Sequence, residues 1–190
     1  MKTVFQQNIQ AAVSVFESLA GLEAEIQAAA LSIASALKAG HKLLACGNGG
    51  SAAEAAHLTT EFVSRFDRER RPYPAICLAA HGGDLTAIGN DYAFEEIFSR
   101  QVEAFAQKGD VLVAFSTSGN SENIRSALNF AADKGIETIA VLGQDGGRCR
   151  GLARIELIVR SSVAARIQEA HQFLLHTICE VAEQQLQLQN

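Results

Sequence analysis

Proline is scarce in this chain: two residues in 190, both inside segment 72–74. No linker interrupts the sequence, and with 48% hydrophobic residues it reads as a single domain with a substantial core. The four cysteines, Cys46, Cys77, Cys149 and Cys179, are widely separated and form no CxxC pair. Cys46, Cys77 and Cys179 sit in apolar runs, the usual setting of reduced core thiols. A formal charge of −5 and a pI near 5.5 leave no broad basic field. No direct nucleic-acid partner is therefore expected, while a local patch for docking another protein stays open. The N-terminus carries Lys2 but is interrupted by Gln6, Gln7, Asn8 and Gln10, so it lacks a signal-peptide apolar core. No stretch is long and apolar enough to span a bilayer, so no membrane partner is expected and the cytoplasm is the expected location.

What is present begins with residues 111–121, VLVAFSTSGNS. Val111 to Phe115 has the length and β-branched content of a buried parallel strand, and a helical pattern resumes at Asn123. The polar turn therefore sits at a strand-to-helix junction, where helix N-termini bind anions. Ser116, Thr117, Ser118 and Ser121 each offer a hydroxyl, and Gly119 permits close backbone approach. An N-cap serine accounts for one or two of these hydroxyls and not for four, so the turn reads as a phosphate cradle. Residues 42–51, KLLACGNGGS, repeat the arrangement: an apolar run, then Gly47, Asn48, Gly49, Gly50 and Ser51, then the alanine-rich helical stretch 52–66. Neither turn is a Walker A motif or a GxGxxG, so no nucleotide cofactor is expected.

Apolar residues Phe5, Ile9, Val13 and Phe16, then Leu22, Ile26, Ala30, Ile33 and Leu37, recur at helical spacing through about residue 39. Candidate strands follow at 42–46, 75–79, 111–115, 137–142 and 155–159, with helical patterns between most of them. A last helix covers about 163–188. This alternation predicts an α/β fold, a three-layer αβα sandwich with a five-stranded parallel sheet covered on both faces. The segments are 1–39 (helical), 40–162 (α/β core) and 163–190 (C-terminal helix). In a parallel sheet the loops after neighbouring strands converge on one crevice, so the two glycine turns can face one ligand. The last helix carries Ile167, Leu174, Leu175, Ile178, Val181 and Leu186, more apolar surface than one small domain covers. With the N-terminal helices it is expected to build an intersubunit bundle.

The two turns, in this order and about 70 residues apart, resemble the sugar isomerase (SIS) domain, whose fold is flavodoxin-like. CGNGGSAAEAAHLTTEF at 46–62, GNDYAFEEIFSRQ at 89–101, GDVLVAFSTSGNS at 109–121 and ARIQEAHQFLLH at 165–176 together resemble the phosphoheptose isomerase family, over nearly the whole chain. The resemblance implies conversion of D-sedoheptulose 7-phosphate to D-glycero-D-manno-heptose 7-phosphate for bacterial surface heptose in lipopolysaccharide or related glycans, and a homotetramer.

His57 and Glu61 are four apart on one predicted helix face, and Gln168 and His176 eight apart on another. Each taken singly reads more readily as a surface or hydrogen-bonded structural group. The resemblance puts Glu61 at the catalytic base position and His176 at the acid position, with His57 and Gln168 beside them. Glu61 would move a proton from C1 to C2 through an enediol while His176 shuttles protons at the oxygens. Two imidazoles, a carboxylate and an amide oxygen also suit zinc, and the resemblance covers members in which His57, Glu61, Gln168 and His176 would hold Zn²⁺. Asn48, Gly49, Gly50, Ser51, Asn90 and Asp91 match substrate-contacting positions, and Gln168 joins them; Asp91 reads alternatively as a helix cap.

Arg65, Arg68, Arg70 and Arg71 read as a solvated face or subunit contact at an exposed helix end, with Pro72 as the stop. Gln144 to Gly147 reads as a turn near the sugar-binding end. Ala164 and Ala165 stand where some members carry an acidic residue, AHGGD at 80–84 is glycine-rich where the family often has hydroxyls, and His81 is unassigned. Two rival readings remain: a non-catalytic SIS module docking the replication initiator DnaA, against which the retained Glu61 and His176 argue, and an isomerase of another phosphosugar. A site shared across subunits is plausible, because its halves lie far apart in sequence.

Overall fold

The computed structural model describes residues 2–187. Helix α1 (Val4–Ser18) opens on a capping box: the Thr3 hydroxyl accepts from the Gln6 N–H while the Gln6 side chain accepts from the Thr3 N–H. A 3₁₀ turn leads into α2 (Glu23–Lys38). The chain then alternates through β1 (Leu43–Gly47), α3 (Gly50–Val63), β2 (Ala75–Cys77), α4 (Gly82–Asp91), α5 (Ser99–Phe105), β3 (Val111–Ser116), α6 (Glu122–Asp133), β4 (Glu137–Gly143) and β5 (Ile155–Val159). Helix α7 (Ala164–Gln187) ends the described chain; the last three positions of the expected C-terminal segment lie outside the described residues.

All five strands are parallel, in the order β2-β1-β3-β4-β5. Alternation along each strand separates two cores. Leu43, Ala45, Val111, Val113, Phe115, Ile139 and Val141 pack against α2, α3 and α7. Leu44, Cys46, Leu112, Ala114, Ala140 and Leu142 pack against Phe98 and Val102 near α5 and against Ile124, Ala127 and Leu128 of α6. Helices α3 and α6 thus leave neighbouring strands toward opposite faces. The crevice between them, at the carboxyl ends of β1 and β3, is the topological switch point of the sheet.

The expected strands are present with ends shifted by at most two residues, and the last, 155–159, is matched at both ends. The segment expected at 75–79 stops at Cys77: this edge strand pairs only with β1, and the Ala80 N–H turns back onto the Cys77 carbonyl. All four cysteines are free. Burial raises the thiol pKa values, that of Cys149 to about 11, and Cys46, Cys149 and Cys179 are packing residues of the interior.

The region after α3 corrects the sequence reading. The helix ends at Val63, well short of Pro72. Arg70 is 7% exposed at its side chain rather than solvated. It folds back over the open end of α3, donating to the carbonyls of Glu61 (2.6 Å), Phe62 (3.0 Å) and Ser64 (3.4 Å), while its Nε bonds Glu183 of α7 at 2.9 Å. A guanidinium here satisfies orphan carbonyls and complements the negative end of the helix dipole. Arg65, Arg68 and Arg71 remain exposed.

Candidate active site

Both glycine turns start a helix without a side-chain cap. Gly49 holds the N-cap position of α3 at φ +56°, and Ser121 holds that of α6 with its hydroxyl uncommitted to the helix. The hydroxyl lies instead 3.4 Å from Ser116 Oγ. By contrast, α1 and α4 are capped by Thr3 and His81, which places the previously unassigned His81 as a helix cap. At α3 the Ser51 and Ala52 N–H groups donate to the carbonyls of Asn48 (3.0 Å) and Gly49 (3.1 Å), whereas the first-turn N–H groups of α6 carry partial positive charge toward the crevice, where an anion is the natural partner.

The two turns are joined directly. Asn48 Nδ2 donates to Asn123 Oδ1 at 2.8 Å, and Asn123 Nδ2 returns a bond to Asn48 Oδ1 at 2.9 Å. Within the second turn the Gly119 N–H donates to Ser116 Oγ at 3.1 Å and the Asn120 N–H to Ser118 Oγ at 3.1 Å. Gly119 sits at φ +64°, and a Cβ there would collide with the Gly146 carbonyl, so the loop after β4 buttresses the cradle. Asn120 Oδ1 accepts from the Arg148 N–H across the same contact. Gly47 has no space for a side chain either, because a Cβ would strike the Ser51 backbone. The structure therefore gathers Asn48, Gly49, Gly50, Ser51, Ser116, Thr117, Ser118 and Ser121 on two turns at one end of the sheet.

Helices α3 and α7 pack side by side and bring His57, Glu61 and His176 together. His57 Nε2 lies 2.8 Å from Glu61 Oε1. The His57 and His176 rings meet edge to face with centroids 5.0 Å apart, and Phe66 closes the other side of His176 at 5.7 Å. The amide nitrogen of Gln172 lies 2.7 Å from His57 Nδ1 and 2.9 Å from His176 Nε2. The glutamine joining the imidazoles is thus Gln172. Gln168 lies one helical turn away against the first turn, where a Cβ on Gly50 would run into its amide. Gln172 precedes His176 by four residues, and that i, i+4 spacing is the signal by which sequence reading finds it. Asn123 carried no comparable signal.

Two buried contacts join the helices behind these groups. Glu54 of α3 and His171 of α7, 5% and 0% exposed, approach to 3.4 Å between Oε2 and Nδ1. Near the other end, Glu183 accepts the N–H groups of Phe66, Asp67 and Arg68 at 3.3, 3.1 and 3.0 Å, besides the Arg70 guanidinium. Burial alone would raise the Glu183 carboxyl pKa, but these donors outweigh it and hold the group below the usual carboxylate range.

Asn90 and Asp91 end α4, exposed and bonded to each other at 2.8 Å; among the described residues they make no hydrogen bond to either turn. Asp91 caps no helix, being the last residue of α4. Ala164 and Ala165, exposed, open α7. A cavity of about 630 Å³ lies at the opposite end of the sheet, by Lys108, Val111 and Glu137; Glu137 is paired with Arg154 at 3.2 Å.

The donors at the α3–α7 contact suit zinc chemically: two imidazoles and a carboxylate. They are hydrogen-bonded to one another and to Gln172, and no three His, Cys, Asp or Glu side chains form a ready metal shell among the described residues.

Residues 5–143 match the SIS domain family. A phosphoheptose isomerase of Citrifermentans bemidjiense is 49% identical over 98% of this chain and 97% of its own. The structure of a phosphoheptose isomerase from Francisella tularensis aligns with TM-score 0.91 at 36% identity, covering 97% of this chain and all of that one. One from Neisseria gonorrhoeae aligns with TM-score 0.87 at 35% identity, covering 95% and 100%.

Proposed function

The chain belongs to the phosphoheptose isomerases of the SIS domain family, and we propose that Glu61 and His176 carry out its aldose–ketose isomerisation of sedoheptulose 7-phosphate. The observation that carries this reading is the meeting of His57, Glu61 and His176 on α3 and α7, with α3 starting at the first glycine turn. The phosphate occupies the second turn, held by the hydroxyls of Ser116, Thr117, Ser118 and Ser121 and the N–H groups opening α6. Asn48, Gly49, Gly50, Ser51 and Gln168 line the way from there toward Glu61, and Asn90 and Asp91 meet the sugar hydroxyls.

His57 orients Glu61 through the 2.8 Å bond to Oε1, and Oε2 takes the C1 proton of the open-chain ketose. The C1–H electron pair becomes the C1–C2 double bond, and the C2 carbonyl oxygen gains a proton to give the enediol. Loss of the O1 proton and return of the carbon-bound proton to C2 yield the aldose. His176 serves the two oxygens in turn. His57, Glu61, Gln168 and His176 are the residues that would hold a zinc ion, which when bound would polarise the substrate carbonyl.

A homotetramer is proposed on the apolar stripe of α1. Val4, Phe5, Ile9, Val13 and Phe16 are exposed and only Val15 of that helix is buried, while the exposed Phe173 of α7 packs on Phe16 beside them. No helix among the described residues is long and apolar enough to cross a membrane.

The deciding experiment is turnover of sedoheptulose 7-phosphate in deuterated water with NMR of the product. Wild type forms aldose heptose 7-phosphate carrying deuterium at C2, and Glu61→Gln binds substrate without turning it over. Near wild-type turnover by Glu61→Gln would remove Glu61 from the base role.

A further inference from the structure

We infer that Arg125 and Arg148 are positioning residues that hold the Glu122 carboxylate off the positive end of α6 and so keep that end open for the phosphate of the substrate. The inference deepens the proposed phosphate reading of the second turn and rests on it. Glu122 is the first residue of α6, directly after Ser121, and no side chain caps this helix. A carboxylate in a first turn is drawn to the same partial positive charge that binds a phosphate. Left unpaired, it would compete for those N–H groups and repel the incoming dianion.

Both of its oxygens are engaged elsewhere. Glu122 Oε1 accepts from the Arg125 guanidinium, one turn along α6, and Oε2 lies 3.1 Å from Arg148 Nη1. The hydrogen bond from Arg125 outweighs desolvation and, with the charges of both arginines, holds the Glu122 carboxyl below the usual carboxylate range. Glu122 is therefore an anion at neutral pH, and the arginines decide where that anion sits.

Arg148 reaches Glu122 from the loop after β4, and that loop is fastened to the second turn by main-chain groups. The Arg148 N–H donates to Asn120 Oδ1 at 3.1 Å, and the Cys149 N–H donates to the Gly119 carbonyl at 2.8 Å. A Cβ on Gly147 would strike the Asn120 side chain and the Ser118 carbonyl. The loop thus keeps its place without the Arg148 side chain, which is 61% exposed and bonded to Glu122.

The test compares KM and kcat for sedoheptulose 7-phosphate at low ionic strength, where charge effects are least screened, with inorganic phosphate as a competing anion. Arg148→Met raises KM about three-fold and the Arg125→Met/Arg148→Met double variant about ten-fold, with kcat within about two-fold. Inhibition by inorganic phosphate weakens in parallel. Arg148→Lys, which keeps a cation, stays within about two-fold of the wild-type KM. In the Glu122→Gln background the same arginine substitutions change KM less than about two-fold, because no carboxylate remains to be held away. A rise that persists undiminished in that background would overturn the inference by making the arginines direct phosphate ligands, and an unchanged KM in both arginine variants would overturn it too. A lower kcat and melting midpoint with KM unmoved would assign the arginines a purely structural role, equally against it. Failure of the phosphate reading shows separately: Thr117→Val and Ser121→Ala would then leave KM and phosphate inhibition at their wild-type values.

Discussion

Arg70→Met removes the cation of a buried pair while keeping much of the side-chain volume. In the wild type Arg70 donates to Glu183 Oε1 and to the carbonyls of Glu61, Phe62, Ser64 and Arg71, and both members of the ion pair are below a tenth exposed. Breaking a buried pair by deleting one partner costs about 3–5 kcal/mol, because the remaining charge stays desolvated. Glu183 keeps the Phe66, Asp67 and Arg68 N–H groups, which places the expected loss near the lower limit. For a chain of this size each kcal/mol corresponds to about 2–4 °C, so the melting midpoint should fall by roughly 6–12 °C. Calorimetry or urea titration at pH 7 measures it. Because Arg70 bonds the main-chain carbonyl of Glu61, kcat should fall as well, with KM less affected. A midpoint within about 2 °C of wild type would refute the argument that this contact is buried and uncompensated.

The same strut has a pH signature with a definite sign. The Glu183 carboxyl is held below its ordinary value in the folded protein, so it contributes stability that is fully present above the unfolded value of about 4.3. That contribution is lost as pH falls through the lower folded value, where both states become protonated. The stability gap between wild type and Glu183→Gln should therefore be widest near neutrality and narrow in acid. A gap that stayed constant from pH 7 to 3 would contradict the assignment.

Asn123→Leu removes one half of the reciprocal amide pair and leaves Asn48 unpaired; KM for the phosphosugar should rise several-fold with a smaller change in kcat, and an unchanged KM would show that the pair does not align the turns. Prolonged dialysis against chelator should lower turnover if zinc is held by His57, Glu61, Gln168 and His176, and readdition should restore it; full activity in a preparation shown by elemental analysis to be metal-free would end the zinc proposal. Placing glutamates at Phe5 and Ile9 should shift sedimentation velocity toward smaller species, whereas an unchanged tetramer peak would move the interface away from α1.

Periodicity made the fold legible. Runs such as Val111–Phe115 and Ile139–Leu142 are apolar throughout because both faces of the sheet are covered, and the helices between them carry one apolar face. The two glycine-rich turns were equally plain, since glycine at special backbone angles and clustered hydroxyls are local chemistry written in consecutive residues. His57 and Glu61 were visible as an i, i+4 pair. Arg70 was misread as solvated because its carboxylate partner, Glu183 of α7, lies 113 residues away, and composition alone reports charge without burial.

By itself, then, the amino-acid order determined which segments become strands and helices, where the glycine-rich turns fall, and to which family the chain is similar. Those properties depend on neighbours within a few residues or on motifs read intact. Only the tertiary structure decided which glutamine stands between the imidazoles. Gln168 and Gln172 lie one turn apart on α7, and their roles differ because α3 crosses that helix so that Gly50 meets one and His57 the other. The joining of the turns through Asn48 and Asn123 and the burial of Glu54, His171 and Glu183 follow the same rule. Helix packing brings together residues that carry no periodic relation along the chain.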